Sequence, residues 1–337
     1  MTSYELTEEF CYKHGYEIVT FPLNVQIKLV GFFLSISSIL PLIYAQQKYV
    51  YPTTFHCNIK IILIAYFSNA TFHASILSFF LAYQSKLVYD MENFCDIFLS
   101  KNWYIFGHLL NFYALVVQSL LQIAACIERA LATIHAAEYE RKNSKIGFSL
   151  TLLAVILPAP IIGILYWNES FIDPQISVLA TPPSSYRGVN CAFLLFTISA
   201  VGCLVTLQYI AFINRQRTSC SRFRLSSHFQ LKENLDTTHF ITVLMLLQIC
   251  ILTIFAVVTL SLRLMENLFR SKMPLYYTLK SSVFLLPIFF IALPFQTIYM
   301  LSKRRRKSKV HCAQLVGLSS KGKQGIENYN NIIYSKW

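Results

Sequence analysis

The string Ile127-Glu128-Arg129-Ala130-Leu131-Ala132-Thr133 sets a carboxylate beside a guanidinium at the end of a long apolar run. An acid and a base so placed neutralise one another while neighbouring helices are closed and free the arginine for a partner once they part. This is the chemistry of an electrostatic latch rather than of catalysis, although a pair that merely anchors a helix end would look the same. A second polar string, Leu225-Ser226-Ser227-His228-Phe229-Gln230-Leu231-Lys232-Glu233-Asn234, precedes another apolar run and supplies His228, Glu233 and Asn234. A third group, His108, Asn111, Tyr276 and Lys280, lies toward the opposite ends of its own apolar runs. These side chains offer hydrogen bonds, an aromatic face and a cation to a small molecule. Asn69, Gln118 and Gln122 lie deeper and read as interhelical hydrogen bonds, worth roughly 0.6–2 kcal/mol each.

Other chemistries are absent from the pattern. No His-x-x-x-His or His-Glu-x-x-His pair is present to hold a metal, and no Gly-x-Ser-x-Gly nucleophile elbow. Neither enzymatic activity nor a cofactor is expected. Lys280 sits too near a span end to favour a Schiff base to retinal.

The elements that must position these groups are seven apolar stretches, approximately 27–45, 59–83, 103–128, 146–167, 190–213, 238–262 and 276–301. A bilayer core takes roughly 20 apolar residues to cross as a helix. With 55% hydrophobic and only 13% charged residues, the 337-residue chain reads as an all-α membrane protein, a seven-transmembrane helix bundle. Basic residues are retained on the cytoplasmic side. Lys48 and Lys60 follow the first stretch, Arg129, Arg141, Lys142 and Lys145 the third, Arg215 to Lys232 the fifth, and Lys303 to Lys307 the seventh. Glu5, Glu8, Glu9 and Glu17 precede the first against Lys13 alone. The N-terminus is therefore expected outside and the C-terminus in the cytoplasm. The expected organisation is a short extracellular segment over 1–24, a membrane domain over 25–301 and a basic cytoplasmic tail over 302–337. The first span is expected to act as its own insertion signal. The net charge of +13 belongs to the interior loops and tail, where it faces anionic lipid, and gives no reason to expect nucleic acid.

Of nine cysteines, Cys11, Cys95 and Cys191 fall on the exterior side or its rim. The expected bridge is Cys95–Cys191, tying the outer loop across the top of the third helix, with Cys11 as the alternative partner. Asn168-Glu169-Ser170 is an exterior glycosylation acceptor. Pro41, Pro158, Pro160, Pro287 and Pro294 fall inside spans and kink them, and in the seventh the kink is either a hinge or a static aid to packing.

The Glu-Arg pair resembles that of G protein-coupled receptors. With Ala-Thr three residues on, it resembles the nematode chemoreceptors more narrowly. The Leu225 to Asn234 string is similar to the Leu-Ser-x-Arg-aromatic-Gln-x-x-Glu-Asn pattern of serpentine receptor class alpha/beta and its alpha, beta and epsilon relatives, with His228 in place of the arginine. Leu293-Pro294 with Tyr299 does not reproduce the Asn-Pro-x-x-Tyr of rhodopsin-like receptors. The resemblance implies a chemosensory receptor in the plasma membrane of sensory neurons, binding a small molecule from outside and signalling through a heterotrimeric G protein alpha subunit. Glu128, Arg129, His228, Glu233 and Asn234 would form the coupling switch. A receptor oligomer is left open as a further partner, and a seven-helix channel or transporter is the rival class.

Overall fold

The computed structural model describes residues 7–135, 139, 144–220, 225–265, 269, 272–282 and 285–319, with side chains left aside for 219, 220, 225–230 and 308–319. Every regular element among the described residues is helical. Among the described residues, seven helices or helix pairs are long and apolar enough to cross a membrane: Pro22–Val50, Cys57–Asp90, Phe94–Ile134, Lys145–Leu165, Tyr186–Thr218, Leu231–Leu264 and Met273–Lys307. Helices suit this setting because hydrocarbon offers no water to backbone N–H and C=O groups. Several run one to three turns past the apolar cores read from sequence, since the backbone ladder continues where the apolar composition stops.

The amino-terminal segment is a chain of short turns. Helix α1 (Glu8–Cys11) is capped by Thr7, whose hydroxyl accepts from the Phe10 N–H at 3.3 Å. A π-helical stretch, Tyr12–Tyr16, and α2 (Glu17–Val19) follow. Proline at the first position of α3 (Pro22–Ala45) needs no N–H there and presets the helical φ. Helix α4 (Cys57–Asp90) leads through a short 3-10 turn, Phe94–Ile97, into α5 (Lys101–Ile134). The fourth span is two helices, α6 (Lys145–Ile156) and α7 (Pro158–Leu165), and the break falls where Pro158 cannot continue the hydrogen-bond ladder. Helices α8 (Tyr186–Cys220) and α9 (Leu225–Leu264) form the fifth and sixth spans. The seventh is divided into α10 (Met273–Ser282) and α11 (Leu286–Ser319), with Pro287 in the first turn of α11 and Pro294 inside it.

Helix α5 is the axis of the bundle. In its most apolar stretch 72% of residues are enclosed, against 11% in the fourth and fifth spans, which present Leu152, Ile164, Leu195 and Val205 outward. Helix α4 packs along α5, α3 lies between α4 and α11, and α8 pairs with α9. The core joins Phe67, Leu77, Leu121, Leu244, Phe289 and Phe290 across these helices.

Candidate functional site

Polar groups gather at both ends of α5, with a hydrogen-bonded layer between. At the end nearest the tail, Arg129 is 2% exposed and Glu128 0%. The guanidinium meets its neighbour in a two-point fork: Nε donates to Oε2 at 2.5 Å and Nη2 to Oε1 at 2.6 Å. Nη1 donates to Oδ1 of Asn234 on α9 at 3.3 Å. The Glu233 carboxylate adds to the negative field on the same guanidinium.

Glu128 also anchors groups absent from the sequence motifs. The Tyr139 hydroxyl donates to Glu128 Oε1 at 2.6 Å and accepts from Asn58 Nδ2 of α4 at 2.9 Å. Burial, then the adjacent carboxylate, pushes the Tyr139 phenol up, so it stays protonated and donates. Asn58 Oδ1 in turn accepts from the Gly147 N–H of α6 at 3.1 Å. Glycine is required there, because a Cβ would stand 2.4 Å from the Asn58 carbonyl oxygen. One turn beyond Arg129, Thr133 binds α8: its hydroxyl accepts from Asn214 Nδ2 at 3.1 Å and its carbonyl from Arg217 Nη1 at 2.7 Å. The same face is tied by Arg304 to Asp236 at 3.4 Å and by Arg305 to the Lys48 carbonyl at 2.9 Å. Of the residues singled out from sequence, Glu128, Arg129 and Asn234 meet directly. The side chain of His228 lies outside the described residues.

The middle layer consists of interhelical hydrogen bonds. Asn69 Nδ2 donates to Gln118 Oε1 at 2.7 Å and to the Ala114 carbonyl at 2.8 Å. Tyr66 donates to Gln248 at 2.8 Å and accepts from Gln122 at 3.3 Å.

At the other end lies a cavity of about 300 Å³, walled by α3, α4, α5, α8, α9, α10, the start of α11, the amino-terminal segment and the loop 174–181. His108, Asn111 and Lys280 line it. His108 is also a clamp, with Nδ1 2.8 Å from the Val178 carbonyl and Nε2 2.7 Å from the Tyr166 hydroxyl. Asn111 donates to the Gly107 carbonyl at 2.8 Å, while its Oδ1 is buried without a partner. Gly107 lets the loop come close: a Cβ there would stand 2.6 Å from Val178 and from Phe80. Tyr276 is not in the cavity wall. It is buried against Leu262 and Phe269, and the cavity is lined by Tyr277, one helical step away.

The expected Cys95–Cys191 bridge is not formed. Cys95 is bonded to Cys11, and Cys191, in the second turn of α8, is free and exposed. The amino-terminal segment folds back over the bundle and brings Cys11 to the turn before α5. The loop 174–181 is instead tied to the α5 side by hydrogen bonds, Leu99 N–H to the Gln175 carbonyl at 2.9 Å and Tyr104 hydroxyl to the Ala180 carbonyl at 2.7 Å. Phe10, His14 and Ile18, held by the Cys11 bridge, form part of the cavity wall. Asn168 is exposed in the turn after α7. Beside it, Glu169 accepts from Ser184, from Ser185 at 2.6 Å and from the Phe171 N–H at 3.2 Å. Burial opposes its charge, but these bonds prevail and hold the carboxyl below the usual carboxylate range.

Comparison with known proteins shows the family. Residues 21–253 match the family described as serpentine type 7TM GPCR chemoreceptor Srb. The chain is 29% identical to serpentine receptor class beta-16 of Caenorhabditis elegans over 326 residues, covering 96% of this chain and 93% of that protein. It is 28% identical to class beta-17 of the same organism over 341 residues, 99% and 92% of the two chains. Serpentine receptor class beta-1 is 24% identical, with 96% of each chain covered. Class beta is one of the relatives to which the motifs pointed. The chain is a multi-pass membrane protein that belongs to the serpentine type 7TM GPCR chemoreceptor Srb family, a family of chemosensory receptors.

Proposed function

We propose that this receptor takes a small molecule into the cavity from the extracellular side and signals through a heterotrimeric G protein at the opposite, tail-bearing face, in the plasma membrane of a sensory neuron. One observation carries the reading: α5 lines the cavity with His108 and Asn111 and bears the closed Glu128–Arg129 latch 21 residues on. At the helical rise that separation is about 32 Å. A single rigid element thus joins a ligand-sized cavity to a buried cation. A ligand that binds an opened bundle better than the closed one shifts the population toward it. Parting of α5 from α9 would free Arg129 for the alpha subunit. Lys48, Lys145, Arg215 and Arg217 lie on the latch side, which supports a cytoplasmic assignment for that face. Under this orientation Asn168 is exposed outside as a glycan acceptor, and residues 302–337 form the cytoplasmic tail.

The test is guanine-nucleotide exchange on a co-expressed G protein, in membranes with confirmed surface receptor, across pools of small odorants and secreted metabolites. Exchange that depends on a pool fraction and is lost in Arg129→Ala supports the reading. Silence across several alpha subunits, with a fraction that evokes a current instead, would move the protein to the channel class.

A further inference from the structure

The charge of the cavity is one-sided. Lys28 from α3, Arg263 from α9 and Lys280 from α10 line it, together with His14, His73 and His108, and no aspartate or glutamate does among the described residues. Lys28 is half-buried and makes neither a hydrogen bond nor an ion pair among the described residues. The Arg263 guanidinium lies over the Tyr186 ring at 5.2 Å, a contact that supplies no anion. Lys28 and Lys280 share one wall. Asn24, one turn before Lys28, accepts at 3.3 Å from Ser281, which follows Lys280. His73 is 2% exposed, its Nε2 has no hydrogen-bond partner, and it lines the same cavity.

Cations in a half-enclosed, low-dielectric space repel one another and lose hydration. Retention of bases on the cytoplasmic face accounts for Arg215, Arg217 and the tail, but not for Lys28, Arg263 and Lys280 at the far end. The rest of the wall is apolar, with Phe112, Leu115, Phe193, Ile251, Leu252 and Phe255.

We infer that the cavity takes small organic acids, an apolar body ending in one carboxylate or comparable anionic group, with the head between Lys28 and Lys280 and the body against α5, α8 and α9. The head neutralises the cationic wall. The inference rests on the cavity being the ligand site of the receptor.

It is tested by direct binding, without a G protein, to the full-length receptor in zwitterionic nanodiscs. The probes are 4-phenylbutyrate, 4-phenylbutanol and 4-phenylbutylamine, which share a body and differ in the head. The acid is expected to bind about tenfold tighter than the alcohol, as a charge-assisted pair allows. The amine should bind weakest. Lys28→Gln and Lys280→Gln should each reduce acid affinity to that of the alcohol and leave the alcohol unchanged. Lys28→Arg, which keeps the charge, should keep the preference. Equal or tighter binding of the alcohol or amine, an acid affinity indifferent to both glutamine variants, or no binding of the acid overturns the inference. If a neutral odorant nevertheless drives exchange that needs Arg129, the receptor reading stands while this one falls.

Discussion

The two ends of α5 are built on opposite terms. At the latch end the charges are complete: Glu128 receives two bonds from Arg129 and one from Tyr139, and the chain continues through Asn58 to Gly147. At the cavity end polar groups are left open: Asn111 Oδ1 and His73 Nε2 lack partners, and Lys28 has no carboxylate. Asn214 Oδ1 at the latch end is also buried without a partner, but the charged fork itself is closed, whereas the open groups of the other end face a space that can hold something that is not protein. The latch is nevertheless unequal within itself. Its bonds inside the α4–α5–α6 group are 2.5–3.1 Å, while the bond from Arg129 to Asn234 of α9 is longer, at 3.3 Å, with the Glu233 carboxylate of α9 acting on the same guanidinium. On the proposed reading, the seam that opens is α5 against α9.

The contrast can be broken most severely at Glu128. Glu128→Ala strands the Arg129 guanidinium in the interior, and loss of one member of a buried pair costs about 3–5 kcal/mol. Thermal unfolding of the purified receptor should show this as the largest loss of any single change discussed, accompanied by loss of surface protein. Gly147→Ala comes next, because its Cβ would meet the backbone of Asn58, which cannot swing aside. Gly107→Ala meets side chains instead and should cost less, within the roughly 1–3 kcal/mol usual for overpacking. Equal costs for the two alanines would mean that the ends are equally rigid.

Asn234→Ala sharpens the contrast. It removes only the long bond to α9, so stability should fall by about 1 kcal/mol or less while ligand-free nucleotide exchange rises. Unchanged basal exchange would remove α9 from the latch. Cys11→Ser acts at the cavity end alone. The receptor should fold and ligand should dissociate several-fold faster as the lining segment loosens, with the latch bonds unaffected. The smallest effect is that of pH on the outer loop. The Glu169 carboxyl is lowered in the fold, so its contribution is complete above its unfolded value of about 4.3 and disappears as pH falls through the lower folded value. Amide protection over 171–185, taken relative to the intrinsic exchange rate at each pH, should be constant at neutral pH and fall only in acid below that range.

The spans were legible because hydrocarbon demands length and apolarity together, and Glu128, Arg129 and Asn234 because two short strings placed them at helix ends. Tyr139 and Asn58 were not, since each reaches Glu128 only after α4 and the segment beyond α5 are assembled. The disulfide was ambiguous for a similar reason: three cysteines share the rim, and the choice depends on an amino-terminal fold with no apolar periodicity. Tyr276 and Tyr277 differ by one residue but by about 100° around the helix. Tyr276 is the one singled out from sequence, but packing against Leu262 and Phe269 turns it away from the cavity, and Tyr277 lines it instead.

The most direct test is the distance between the tail-side ends of α5 and α9, measured by pulsed electron resonance. Spin labels would be carried by Ile134→Cys and Lys232→Cys, both exposed positions, in a background retaining only Cys11 and Cys95 of the native cysteines. A pool fraction that drives nucleotide exchange should move the distribution to longer distances, and Asn234→Ala should move it part of the way without ligand. One unchanged distribution under all three conditions would contradict an α5–α9 seam as the link between cavity and latch.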